Sequence, residues 1–146
     1  MSQMQLPALV FMAGLAQLAI VVGSLMIPRV LRWSEDVAQL RPLTRQVFWT
    51  YAAYIWSTNL FFGIISVVMS NELVGGSALA MALSIFIAIY WGARIGIQFF
   101  YFDRSDAPTG PQYQLAEWSL VGTFVALTLI YSYAAWVNWD IASRAP

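Results

Sequence analysis

The chain is 146 residues long, about one domain by the usual length relation, and is 60% apolar, 16% aromatic and only 10% charged. Ordinary soluble domains carry roughly 25% charged residues, and so small a soluble fold cannot hide this much apolar surface, so a water-soluble globule is excluded and an integral membrane protein remains. Seven Arg balance seven Asp plus Glu, and there is no Cys, His or Lys, which leaves no net field for nucleic acid and removes disulfides, thiol chemistry, imidazole ligands and Schiff-base lysines.

Crossing a bilayer core takes about 20 helical residues, and four apolar runs reach that length, at 6–27, 47–69, 77–99 and 118–139. Only Arg94, of all the formal charges, lies inside a run. Pro28, Pro42, Pro108, Pro111 and Pro146 fall between or beyond the runs, and Pro7 sits in a first turn, where its missing donor does no harm. The expected fold is therefore all-α: one four-helix transmembrane domain over residues 1–146, built as two hairpins. Residues 1–5 carry no Lys or Arg, the first run exceeds the roughly 7–15 residues of a signal-peptide core, and no Ala-x-Ala site follows. The first run is accordingly read as a mature helix.

The first connection, 28–46, holds Arg29, Arg32, Arg41 and Arg45, and the third, 100–117, holds Arg104. The second, 70–76, and the N-terminus hold none, and only Arg144 follows the last run. Arginine-rich loops stay on the cytoplasmic side, so both termini are expected outside a cytoplasmic membrane of bacterial type, with two long loops inside. Within the first loop, Ser34 precedes Glu35 and Asp36 in a helix-start pattern, and Trp33, Val37 and Leu40 share an apolar face. A short interfacial helix is expected there, ending before Pro42. Trp33, Trp49, Tyr113 and Trp118 supply an inner aromatic belt, and Trp136 and Trp139 an outer one. The near-equal long loops are compatible with a parallel duplication, but no residue-level match links the halves, and two hairpins arise from geometry alone.

Residue counting places Gln17, Asn59, Tyr90, Thr128 and Tyr131 near one depth. A buried amide in hydrocarbon needs a partner, and Gln17 with Asn59 is the expected pair. This layer is either interhelical glue or the contact surface of a midplane ligand pocket; glue is preferred, since none of these groups titrates near neutral pH. The third run carries a small residue at every fourth position: Gly76, Ala80, Ser84, Ala88, Gly92 and Gly96. Such a row lets backbones approach closely, and its drift of about 40° per step calls for at least two neighbours. Tyr90, Arg94 and Gln98 repeat at the same interval, with Arg94 about 200° around the helix from Gly92 and Gly96. Arg94 with Gln98 is the expected contact for a partner chain or lipid headgroup, against simple snorkelling or a pair with Glu117.

No cluster of metal ligands, no nucleophile with a base and no phosphate-cradling glycine loop is present. Glu35–Asp36 and Asp103 with Asp106 are the close acidic pairs, and both flank arginines as solvated loops do. Without an intramembrane carboxylate a proton-coupled transporter is disfavoured. The expectation is a non-enzymatic protein, with no haem, metal or other cofactor beyond bound lipids and no nucleic-acid partner. The leading reading is an assembly subunit of a homo-oligomer or larger membrane complex, joined through the small-residue face of the third helix. The other is a binding or carrier protein for a lipid, quinone or similar apolar molecule, held in a cleft lined by Gln17, Asn59, Tyr90, Arg94 and aromatics.

Overall fold

A computed structural model describes residues 5–103, 105 and 110–144. Among these residues the regular structure is helical, and four helices are long and apolar enough to cross a membrane. In chain order they run α1 (Gln5–Ser24), α2 (Ile27–Val30), α3 (Trp33–Ala38), α4 (Pro42–Val68), a single 3-10 turn at Glu72–Val74, α5 (Ala78–Phe100) and α6 (Pro111–Arg144). Arg104, Asp106, Pro108 and Pro146, all invoked above, lie outside the described residues.

The long helices start and stop where backbone chemistry dictates, which is not where hydropathy ends. Proline stands at the start of both α4 and α6, a position that needs no donor and suits its fixed φ. These helices therefore begin well before their apolar runs, and α6 continues to Arg144. Its 34 residues span about 51 Å, past the roughly 30 Å bilayer core. α5 is opened by Ser77, whose side chain accepts from the Ala80 amide at 3.1 Å. The short helix in the first connection is present, but Ser34 does not cap it. Arg32 stands at the cap in a left-handed conformation (φ 49°) with no side-chain bond, and Ser34 falls within the first turn with Glu35 and Asp36. The buried Val37 and an edge-on Trp33–Phe48 contact at 5.2 Å fasten α3 against the start of α4.

α1 packs against both α4 and α6, and α5 packs against α6; the 3-10 turn, with Leu73 buried, rests on α1, α5 and α6. Val10, Phe62, Ile87, Trp91, Leu127 and Tyr131 form the centre of the core. The tightest helix contact is between α1 and α4, and it is reciprocal. A Cβ on Gly14 would stand 2.9 Å from the Val67 amide nitrogen and 2.8 Å from its Cγ2, and one on Gly63 would stand 2.7 Å from Leu18 Cδ2. Each helix thus presses a branched side chain onto the other's glycine, four residues from its own. α4 and α5, although joined by a short turn, do not run backbone against backbone. They meet through large side chains, and a cleft opens between them.

Candidate functional site

Gln17 is fully buried and is the hub of a polar network in the bundle centre. Its Nε2 donates to the Tyr131 hydroxyl at 2.7 Å, and its Oε1 accepts from Trp91 Nε1 at 3.1 Å. The Tyr131 hydroxyl in turn meets Ser66 Oγ at 2.5 Å, so α1, α4, α5 and α6 each contribute one group. The expected Gln17–Asn59 pair is not formed. The rotation of α4 turns Ser66 toward Tyr131 and carries Asn59 to the α5 side, next to Tyr90. Thr128, also expected in the layer, donates to the Phe124 carbonyl of its own helix at 2.8 Å. A buried network with its donors and acceptors matched holds helices in register rather than binding or reacting.

The small-residue row of α5 divides by position. Ala80, Ser84 and Ala88 are buried, and an added Cβ on Gly92 would meet Thr128 of α6 at 3.7 Å, an ordinary contact. Gly92 is thus used within the chain, against α6, whereas Ala80 lines the cavity between α5 and α4. Gly96 faces open space, so the Gly92–Gly96 step is not a close backbone approach here. Gly76 precedes the helix and belongs to the turn: its φ is +81°, a Cβ there would overlap Ile141, and its amide donates to Asn138 Oδ1 at 2.8 Å. Asn138, fully buried, also donates through Nδ2 to the Leu73 carbonyl at 2.7 Å, so one α6 side chain ties down both ends of the turn.

The opposite side of α5 lines the cleft. Leu83, Phe86, Tyr90 and Arg94 follow one another at steps of three or four residues, a single helical stripe. Asn59, Phe62, Ile65 and Met69 form the matching stripe on α4. The two run in antiparallel register, Asn59 beside Tyr90 and Phe62 against Phe86 and Tyr90 (ring centroids 5.8 and 5.2 Å). Phe62 is buried and forms the floor, while Phe86 is 55% exposed at the rim. Toward the turn the cleft ends in a mainly apolar cavity of about 90 Å³, lined by Ile65, Met69, Leu73, Leu79 and Leu83, with Glu72 and Ser77 from the turn. Toward the other end, Asn59 Oδ1 is enclosed by protein with no hydrogen-bond partner, as is Ser84 Oγ of α5.

Arg94 is half-buried, and its guanidinium carbon lies 5.7 Å above the Phe102 ring centroid. Phe102 follows the end of α5, so the side chain reaches along the helix toward that end. Gln98, expected beside Arg94, instead donates to Glu117 Oε1 of α6 at 3.0 Å. Among the described residues the ion pairs are Arg32–Glu35 and Arg144–Asp140, both peripheral, and no group of three side chains fit to hold a metal occurs.

Of the residues expected to line a ligand cleft, the structure brings together Asn59, Tyr90 and Arg94, and places Gln17 and Tyr131 in the separate central network. Ser66, Trp91 and Asn138, which organise the molecule, were not anticipated. Asn138 had a readable signal, an amide inside the fourth apolar run, whereas Ser66 and Trp91 look ordinary in such a run. The chain matches no protein-family model, curated protein or solved structure with which it was compared.

Proposed function

We propose that the chain is a non-catalytic, four-span integral membrane protein that binds or carries an amphipathic apolar molecule in the cleft between α4 and α5. The observation that carries this reading is the cleft itself: two facing stripes, apolar toward the turn and polar at Asn59, Tyr90 and Arg94, on helices whose backbones stay apart. Ligand sites in membrane bundles are largely apolar with a few convergent polar groups, and the stripe on α5 is apolar at Leu83 and Phe86 and polar at Tyr90 and Arg94. In this reading the protein sits as two hairpins in a cytoplasmic membrane of bacterial type. Both termini are outside, and α3 lies at the inner interface with Arg29, Arg32, Arg41 and Arg45 beside it. Ser77 and Glu72 stand at the cavity, but the Ser77 side chain is taken up in capping α5, which supports binding over catalysis.

Assembly with like or unlike membrane subunits is the second reading. It is favoured by Gly96, whose open flank leaves the inner end of α5 accessible to a neighbouring backbone. Purification in mild detergent, followed by mass measurement of the intact particle and solvent extraction, separates the two. A monomer retaining one apolar molecule per chain is expected. A bare chain that runs only as a defined oligomer would instead establish the second reading.

A further inference from the structure

The connection between α1 and α4 gathers charge that its own residues do not balance. Residues 28–46 carry Arg29, Arg32, Arg41 and Arg45 against Glu35 and Asp36, a net charge of +2 in a chain whose net charge is zero. Arg32 pairs with Glu35 at 3.9 Å, but both side chains stay largely in solvent, where such a pair contributes little. Arg29, Arg41 and Arg45 are exposed and, among the described residues, form no ion pair. Arg41 and Arg45 stand one turn apart at the start of α4, a helix with no Asp or Glu to offset them. Apolar side chains lie exposed between these charges: Val30, Leu31, Leu40 and Leu43. Basic and apolar groups interleaved in this way suit a bilayer boundary, which covers the apolar side chains and meets the charges at its surface. Two rings set the depth. Trp33 and Trp49, with centroids 6.3 Å apart, are of the kind that settles at headgroup level. Arg32 adjoins the first, and Arg45 stands one turn before the second, about 6 Å farther from the bilayer centre.

From this juxtaposition we infer that the 28–46 connection docks on anionic phospholipid headgroups, drawing lipids of net negative charge to Arg29, Arg41 and Arg45. Guanidinium groups match phosphate oxygens in shape and charge, and a cluster of basic residues beside a membrane-spanning helix attracts an anionic lipid surface. Headgroups with a balancing ammonium, such as choline, bring no net charge and gain less. Being tied at both ends to membrane-spanning helices, the connection cannot leave the bilayer, so it meets headgroups at a high local concentration. The inference depends neither on what the cleft holds nor on which side of the membrane the connection faces.

The test uses the full chain, which has no cysteine of its own, with a fluorophore on Gln39→Cys at the exposed end of α3. It is placed in nanodiscs of phosphatidylcholine that contain a small, fixed share of acyl-spin-labelled phosphatidylglycerol or phosphatidylcholine. Quenching by the phosphatidylglycerol should exceed quenching by the phosphatidylcholine by roughly fivefold, the attraction that one arginine near a charged surface supplies. The same fluorophore on Asn71→Cys, beside Glu72 at the α4–α5 turn, should show no such preference. Salt at about 1 M, where screening acts within about 3 Å, should abolish the preference at residue 39. Changing Arg29, Arg41 and Arg45 together to Gln should remove it, and changing them together to Lys should keep it. Equal quenching by the two lipids at residue 39, with every arginine in place, overturns the inference whether or not the Gln variant folds. A preference of the same size at residue 71 overturns it too, because the attraction would then belong to no particular part of the chain.

Discussion

Gln17 bridges Tyr131 and Trp91, so its removal leaves the buried Trp91 Nε1 without its acceptor and the Tyr131 hydroxyl without its donor at once. Gln17→Leu should therefore destabilise the bundle by about 0.6–2 kcal/mol, the range of interhelical hydrogen bonds in membranes. The network makes a sharper statement about pairs. Gln17→Leu and Tyr131→Phe remove the same bond, so their combined effect should fall short of the sum by about 0.5 kcal/mol or more. Gln17→Leu with Asn59→Leu should be additive, because Asn59 belongs to the cleft and not to the network. Unfolding in mixed detergent, monitored by circular dichroism, reads the three single and two double variants; sub-additivity of Gln17 with Asn59 would contradict the geometry. Counting along each apolar run brings Gln17 and Tyr131 to one level, and the two share a hydrogen bond. The partners were not legible, because a pairing depends on how far each helix is rotated about its axis. An amide at a given depth is equally compatible with a neighbour on either side.

The same distinction holds for whole elements. The existence, order and approximate span of the four long helices follow from length and apolarity, which are local properties. Their ends follow from Pro42 and Pro111, which start helices rather than separate them, and from Ser77; hydropathy is blind to all three. The glycines that pack closely between α1 and α4 were missed for a related reason. A run of small residues on α5 is conspicuous in sequence, whereas Gly14 and Gly63 belong to no such row and show their purpose only when α1 and α4 meet. Gly14→Ala should therefore destabilise by about 1–3 kcal/mol, since its new methyl would press on the Val67 backbone. Gly96→Ala, with nothing within 4 Å, should change stability by no more than about 0.5 kcal/mol in the monomer. Thermal denaturation in detergent compares the pair directly. The turn between α4 and α5 gives a further check. Asn138→Leu removes both bonds that fasten it, and proteolysis in the 70–76 connection should accelerate while the helices remain folded.

At the scale of the molecule, the arrangement is a bundle whose neighbours are α4, α1, α6 and α5 in turn, left open between the first and the last of these. Because the chain contains no cysteine, single introduced thiols report sidedness without background. Gln39→Cys and Asn71→Cys, both exposed, should label from opposite faces of sealed vesicles, Asn71→Cys from outside; equal labelling of the two by an impermeant reagent would rule out the proposed orientation. The functional proposal rests on the opening between α4 and α5, and photocrosslinking within it is the most direct measurement. A benzophenone amino acid placed at Phe86, on the cleft rim, should capture a single molecular species at close to one per chain. The same probe at Leu129, on the exposed side of α6, should capture the mixture present in the surrounding membrane. If both positions yield the same mixture, the cleft holds no particular molecule and the proposed function is wrong.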